Sequence, residues 1–226
     1  MGSVHDEDIP CRRMCKETQT KVISIGYRLA PKHPYPTGLN DCVHATLWAL
    51  NHFSIPSVVI SGTSAGATNA FGVALKLIDA GLGHKVKGVV ALVPIVVHPD
   101  AVPVDKKPQS TSYIENANYS INTTAAMRCF YDVYGAPPED RYVSGLLHPR
   151  LGELRKVYIV ECGMDTVRDD ARLMKGRLEE LGVALRYDAY PGFPHGFWSF
   201  PSERLRVDAE RCYGNWHRAV TWVHRE

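Results

Sequence analysis

The sequence predicts an α/β fold, a mostly parallel sheet flanked by helices. Three observations carry that expectation. Short β-branched runs alternate with segments of helical periodicity along most of the chain, the pattern of strand–helix–strand units. The run 57–61 (SVVIS) leads straight through Gly62-Thr63-Ser64-Ala65-Gly66 into a small-residue helix, a join tight enough to need its glycines. The 226 residues suit one sizeable core, so a single domain over 1–226 is expected.

In chain order, KVISIGY (21–27) reads as a buried strand. GLNDCVHATLWALNHF (38–53) places Leu39, Val43, Leu47 and Leu50 on one helical face. SVVIS is the second strand. Residues 65–79 are small and apolar on most sides, as expected of a helix packed tightly on a sheet. VKGVVALVPIVV (86–97) is the third strand. Residues 98–150 break the rhythm with prolines, polar residues and the aromatics Tyr113, Tyr119, Phe130, Tyr131 and Tyr134. A segment this long between regular elements predicts a lid or substrate-pocket insertion, with a short helix near 124–134. KVYIVE (156–161) resumes the strands. The next helix carries Val167, Ala171, Met174, Leu178 and Leu181 on one stripe and is closed by Gly182. ALRYDAY (184–190) is a fifth strand, and 202–224 is amphipathic through Leu205, Ala209, Cys212, Trp216, Val220 and Val223.

Composition narrows the function classes. Apolar residues make up 45% and charged residues 22%, which is ordinary for a soluble globular protein. The formal net charge of +2 gives no argument for nucleic acid or a membrane surface as partner. No apolar run reaches membrane-spanning length, and the polar, acidic N-terminus lacks the apolar stretch of a signal peptide. The six cysteines, at 11, 15, 42, 129, 162 and 212, are scattered, so they read as reduced thiols of a cytoplasmic protein. Cys11 and Cys15, with His5 nearby, lack a second ligand pair, and no metal site is expected.

The turn at 62–66 has the form of a nucleophile elbow. A serine there must hold a strained backbone so that its hydroxyl stands clear of the sheet, and Gly62 and Gly66 let strand and helix approach closely. The helix N-terminus and the Ala65 N–H offer positive charge to a developing oxyanion. Ser64 then needs a base beside it and an acid to orient that base, with the chain order serine, acid, histidine expected for this sheet type. Asp165 in VYIVECGMDTVRDD sits at the C-terminal edge of a strand, where ligands bind in such sheets. It is preferred over Asp169 and Asp170, which lie in a helix's first turn and read as dipole partners. His195 in YPGFPHGFW follows the last strand in a loop. His148 is its nearest competitor but precedes Asp165, and His98 stands at a strand end where it would line a pocket.

The segments YRLAPKHPYP (27–36), GTSAG (62–66), GMDTVRDD (163–170) and PHGF (194–197), in this order and spacing, resemble the hormone-sensitive-lipase-like carboxylesterases of the α/β-hydrolase superfamily, in particular the fungal type. The resemblance covers 11–200. It implies the α/β-hydrolase fold and hydrolysis of a small or medium apolar carboxylic ester by Ser64, His195 and Asp165, without metal or cofactor, with secondary metabolism as a setting. One departure matters. Members carry a His-Gly-Gly-Gly loop upstream of the YRLAP strand, whose N–H groups form most of the oxyanion hole. Here His-Gly occurs only at His195–Gly196, and CRRMCKET (11–18) resembles the helix that follows the loop. The expectation is that the N-terminal strands and the loop are missing, leaving Ala65 N–H as oxyanion donor and an unfilled strand position between 21–27 and 57–61. Either 21–27 moves onto 57–61 or a partner chain fills the position, which leaves a homo-oligomer open. A non-catalytic ligand-binding protein and an inactive truncated remnant are the alternatives to an esterase.

Overall fold

The computed structural model describes residues 2–119 and 121–225. Helix α1 (Asp8–Thr18) is followed by an extended stretch, then α2 (Thr37–His52), β1 (Val58–Thr63), α3 (Ala65–Asp79) and β2 (Val86–Leu92). The long insertion holds α4 (Ser112–Glu115) and α5 (Thr124–Tyr134); β3 (Lys156–Cys162), α6 (Arg168–Glu180), β4 (Ala184–Tyr190) and α7 (Arg206–His224) complete the chain. The strands pair in the order β1-β2-β3-β4, every pair parallel. All four C-terminal strand ends therefore lie along one side of the sheet.

The helices cover both faces, which is why β2 and β3 read as near-continuous apolar runs. Along β2, Val89 and Ala91 pack into the core under α2, α3 and α6, while Val90 and Leu92 pack into the core under α1 and α7. That is the period of two expected of a strand buried on both sides. Helix α3 is buried nearly all round, from Ala67 to Ile78, as its small side chains require. No helix among the described residues is long and apolar enough to cross a membrane.

Two expectations need correction. Residues 21–27 do not form a strand. Ile25 and Tyr27 pack on the α2–α3 side and Val22 on the α7 side, so the two-sided alternation is real. Among the described residues, however, none of their backbone groups bonds another backbone group, and Ile23 is exposed. A strand requires a neighbour about 4.8 Å away as well as the right side chains, and 21–27 has not moved onto β1. Strand β1 is consequently the edge of the sheet and only half buried. The third strand stops at Leu92 rather than at 97. Val93 adopts a positive φ of 43°. Beyond it, the N–H groups of Val96 and Val97 donate to Asp170 Oδ1 at 2.9 and 3.3 Å instead of to a ladder.

Candidate active site

Strand β1 passes into α3 through Ser64, whose φ of 56° and ψ of −120° lie outside the regions open to ordinary L-residues. The strained turn is held from both sides. Ser64 N–H donates to Leu92 C=O at 2.8 Å, tying it to the end of β2, while Ser64 C=O accepts from Ala67 and Thr68 and so starts the helix. Gly62 and Gly66 contribute differently. A Cβ on Gly62 would run into the Gly66 carbonyl, whereas a Cβ on Gly66 would meet nothing within 4 Å. The close approach is made at Gly62, and Gly66 supplies the main chain that is approached. Ala65 is exposed, and its N–H donates to no protein acceptor among the described residues. At the first position of α3 it belongs to the positive end of the helix dipole.

Asp165 and His195 come together although thirty residues separate them. Asp165 lies on the turn after β3, and His195 on the loop after β4. His195 Nδ1 is 2.5 Å from Asp165 Oδ2, with the residues 5% and 0% exposed. A carboxylate can only accept there, so Nδ1 carries the hydrogen and Nε2 is left as an acceptor. Val167 N–H donates to the other carboxylate oxygen, Oδ1, at 3.2 Å. The two loops are laced together: Gly163 N–H donates to Tyr190 C=O at 2.9 Å, and Met164 N–H to Phe193 C=O at 3.0 Å. Any Cβ on Gly163 would strike the Pro191 backbone. The fully buried Phe197, with its ring 4.3 Å from that of Phe193 and 5.1 Å from that of Tyr190, anchors the histidine loop. Ser64, Asp165 and His195 thus stand at the C-terminal ends of β1, β3 and β4. Among the described residues no hydrogen bond joins Ser64 Oγ to His195 Nε2, a contact that in ligand-free enzymes is often long.

The competing residues have other partners. His148 is buried with Nε2 3.1 Å from Asp79 Oδ2. Asp79 ends α3 and Ser64 begins it, so this pair lies about 20 Å from the serine at 1.5 Å per residue. His98 uses Nδ1 to accept from Asp100 N–H and rests its ring 4.5 Å from that of Tyr131. Asp169 and Asp170 do more than face a helix dipole. Asp169 Oδ2 accepts from the backbone N–H groups of Thr111 and Ser112 at 2.7 and 2.8 Å. Asp170, holding Val96 and Val97, is fully enclosed, and burial pushes its carboxyl up to about 7. Tyr113 and Tyr131 share a 2.8 Å hydrogen bond between their hydroxyls, and burial raises both phenols.

A family profile described as alpha/beta hydrolase fold matches residues 1–199. The chain belongs to the α/β-hydrolase family. A versiconal hemiacetal acetate esterase of Aspergillus parasiticus is 51% identical to this hydrolase over 99% of the chain and 71% of that esterase. An FAD-linked oxidoreductase, pytB, of Aspergillus terreus is 62% identical over the whole chain, which spans only 28% of that protein. Among solved structures, vibralactone cyclase superposes with a TM-score of 0.92 at 27% identity, covering 98% of this chain and 67% of the cyclase. Relatives named as esterases support a carboxylic ester hydrolase.

Proposed function

We propose that this hydrolase is a serine carboxylesterase acting through Ser64, His195 and Asp165 on a small or medium apolar ester. The observation that carries the reading is the buried contact between His195 Nδ1 and Asp165 Oδ2, which leaves Nε2 as the proton acceptor at the same sheet end as the serine. In the first half-reaction Ser64 Oγ attacks the ester carbonyl while His195 Nε2 takes its proton. The oxyanion receives the Ala65 N–H at the start of α3. The tetrahedral intermediate collapses to the acyl-serine, and His195 returns the proton to the leaving alcohol. Water, deprotonated by the same Nε2, then releases the acid. Asp165 keeps the imidazole in the required tautomer and faces the imidazolium as it forms.

The acetate esterase among the relatives supports an acetylated secondary metabolite as substrate. The six unpaired cysteine thiols support a cytoplasmic location. Labelling with a fluorophosphonate, together with turnover of p-nitrophenyl acetate, tests the reading. Both are expected in the parent and absent in Ser64→Ala. A second reading, ligand binding without turnover, draws on the lack of a hydrogen bond between Ser64 Oγ and His195 Nε2 among the described residues. It predicts a cooperatively melting chain that neither labels nor hydrolyses.

A further inference from the structure

The long insertion is stitched to the turn that carries Asp165. Ser112 Oγ donates to Thr166 C=O at 2.7 Å, and Thr166 Oγ1 donates to Asn122 C=O at 2.8 Å. Asp169 accepts from the N–H groups of Thr111 and Ser112. At the centre stands Asn116, 6% exposed, whose Nδ2 donates to Asp165 C=O at 2.8 Å and to Gly163 C=O at 3.1 Å. Both targets can only accept, so the amide cannot be turned over without losing both bonds. One –NH2 group thereby spans the turn on either side of Met164 and fixes the main chain from which the Asp165 carboxylate projects.

We propose that Asn116 is a positioning residue for the acid: it sets the Asp165 main chain, and through it the orientation of His195. The proposal rests on the triad reading above. The physical case is that the Asp165–His195 contact is short and buried, so a small displacement of the turn is not absorbed by solvent. Removing the amide also strands the buried Asp165 carbonyl and the part-buried Gly163 carbonyl, which will seek other donors by moving. Thr111, Ser112, Asn116 and Asn122 then act as fixed points of the insertion on this turn, whatever the rest of it does around a ligand.

The test compares Asn116→Ala and the isosteric Asn116→Asp, which cannot donate to a carbonyl when ionised, with the parent and Asp165→Asn. The first readout needs no turnover: the proton NMR resonance of the His195 imidazole N–H, recorded well below the melting temperature. It should lie far downfield in the parent, be lost in Asp165→Asn, and move upfield in either folded Asn116 variant. The second readout is kcat per fluorophosphonate-titrated site, which should fall by up to about 10²-fold with KM little changed. The pH profile of kcat/KM should also move, because a misaligned carboxylate faces the imidazolium differently. A purely structural role would lower the titratable fraction and leave kcat per site and the pH profile where they were. If the Asn116 variants keep the parental resonance and pH profile while Asp165→Asn loses both, the proposal is overturned and the triad stands. If the parent lacks the resonance and Asp165→Asn changes nothing, the triad reading fails and takes the proposal with it.

Discussion

Gly62 and Gly66 touch main chain to main chain: a Cβ on the first would overlap the carbonyl of the second. No side-chain rotation relieves a clash between a Cβ and a backbone. Gly62→Ala is therefore expected to cost roughly 1–3 kcal/mol, in the range of core overpacking, and to lower Tm by several degrees. It should also abolish fluorophosphonate labelling, because the serine turn is what must move. Gly66→Ala should melt like the parent. Parallel melts and labelling of the two variants check this, and equal effects would contradict it.

Among the described residues two buried histidines, His148 and His195, bond an acid, and only His195 stands near Ser64. Asp165→Asn should lower kcat by about 10³–10⁴-fold by imposing the wrong imidazole tautomer. His148→Ala should keep kcat and lose stability, since Asp79 then loses one of its partners. Hydrolysis of p-nitrophenyl acetate beside thermal melts separates the two. Loss of turnover in His148→Ala would remove the assignment.

Asp170 makes stability depend on pH. Burial lifts its carboxyl from 3.8 to about 7 in the folded chain, so the folded state holds a proton that the unfolded state has released. Its contribution is full below the unfolded value and is lost as pH rises through the folded one. Melts of the parent should weaken between about pH 4 and pH 7 relative to Asp170→Asn, which keeps an acceptor for Val96 and Val97 without the charge. Identical pH profiles for the two chains would refute this.

The edge position of β1 has a signature in amide exchange. Strands β2 and β3 are paired on both sides and buried, whereas β1 pairs only with β2 and 21–27 has no backbone partner among the described residues. Amides of 21–27 and the outward-facing amides of β1 should exchange orders of magnitude faster than those of Val89–Leu92 and Val157–Val160. Protection at 21–27 equal to that of β3 would mean that the sheet has a further strand in solution.

Much of this architecture was legible in residue pattern, because β2 and β3 are apolar and buried on both sides and β1 is β-branched at Val58, Val59 and Ile60. The segment 21–27 carries the same pattern without being a strand, since alternation reports which way side chains face and says nothing of whether a neighbour is within bonding distance. The turn after β3 and the loop after β4 were legible as site positions because both follow strand ends in a parallel sheet. Asn116 was not. It lies in an irregular insertion with no periodicity, and its use depends on how that segment folds back onto residues 163–166. The acids at 169 and 170 fitted a helix dipole equally well in sequence, and only the course of residues 96–97 and 111–112 reveals which backbone groups they hold.

Ser64 hangs from the strand at the sheet's open margin. An unpaired ladder can pair with strands of other molecules, so the nucleophile sits beside an edge open to self-association. Any loss of activity in storage should then accompany the onset of aggregation. A preparation's working life should shorten as its concentration rises, long before the core melts.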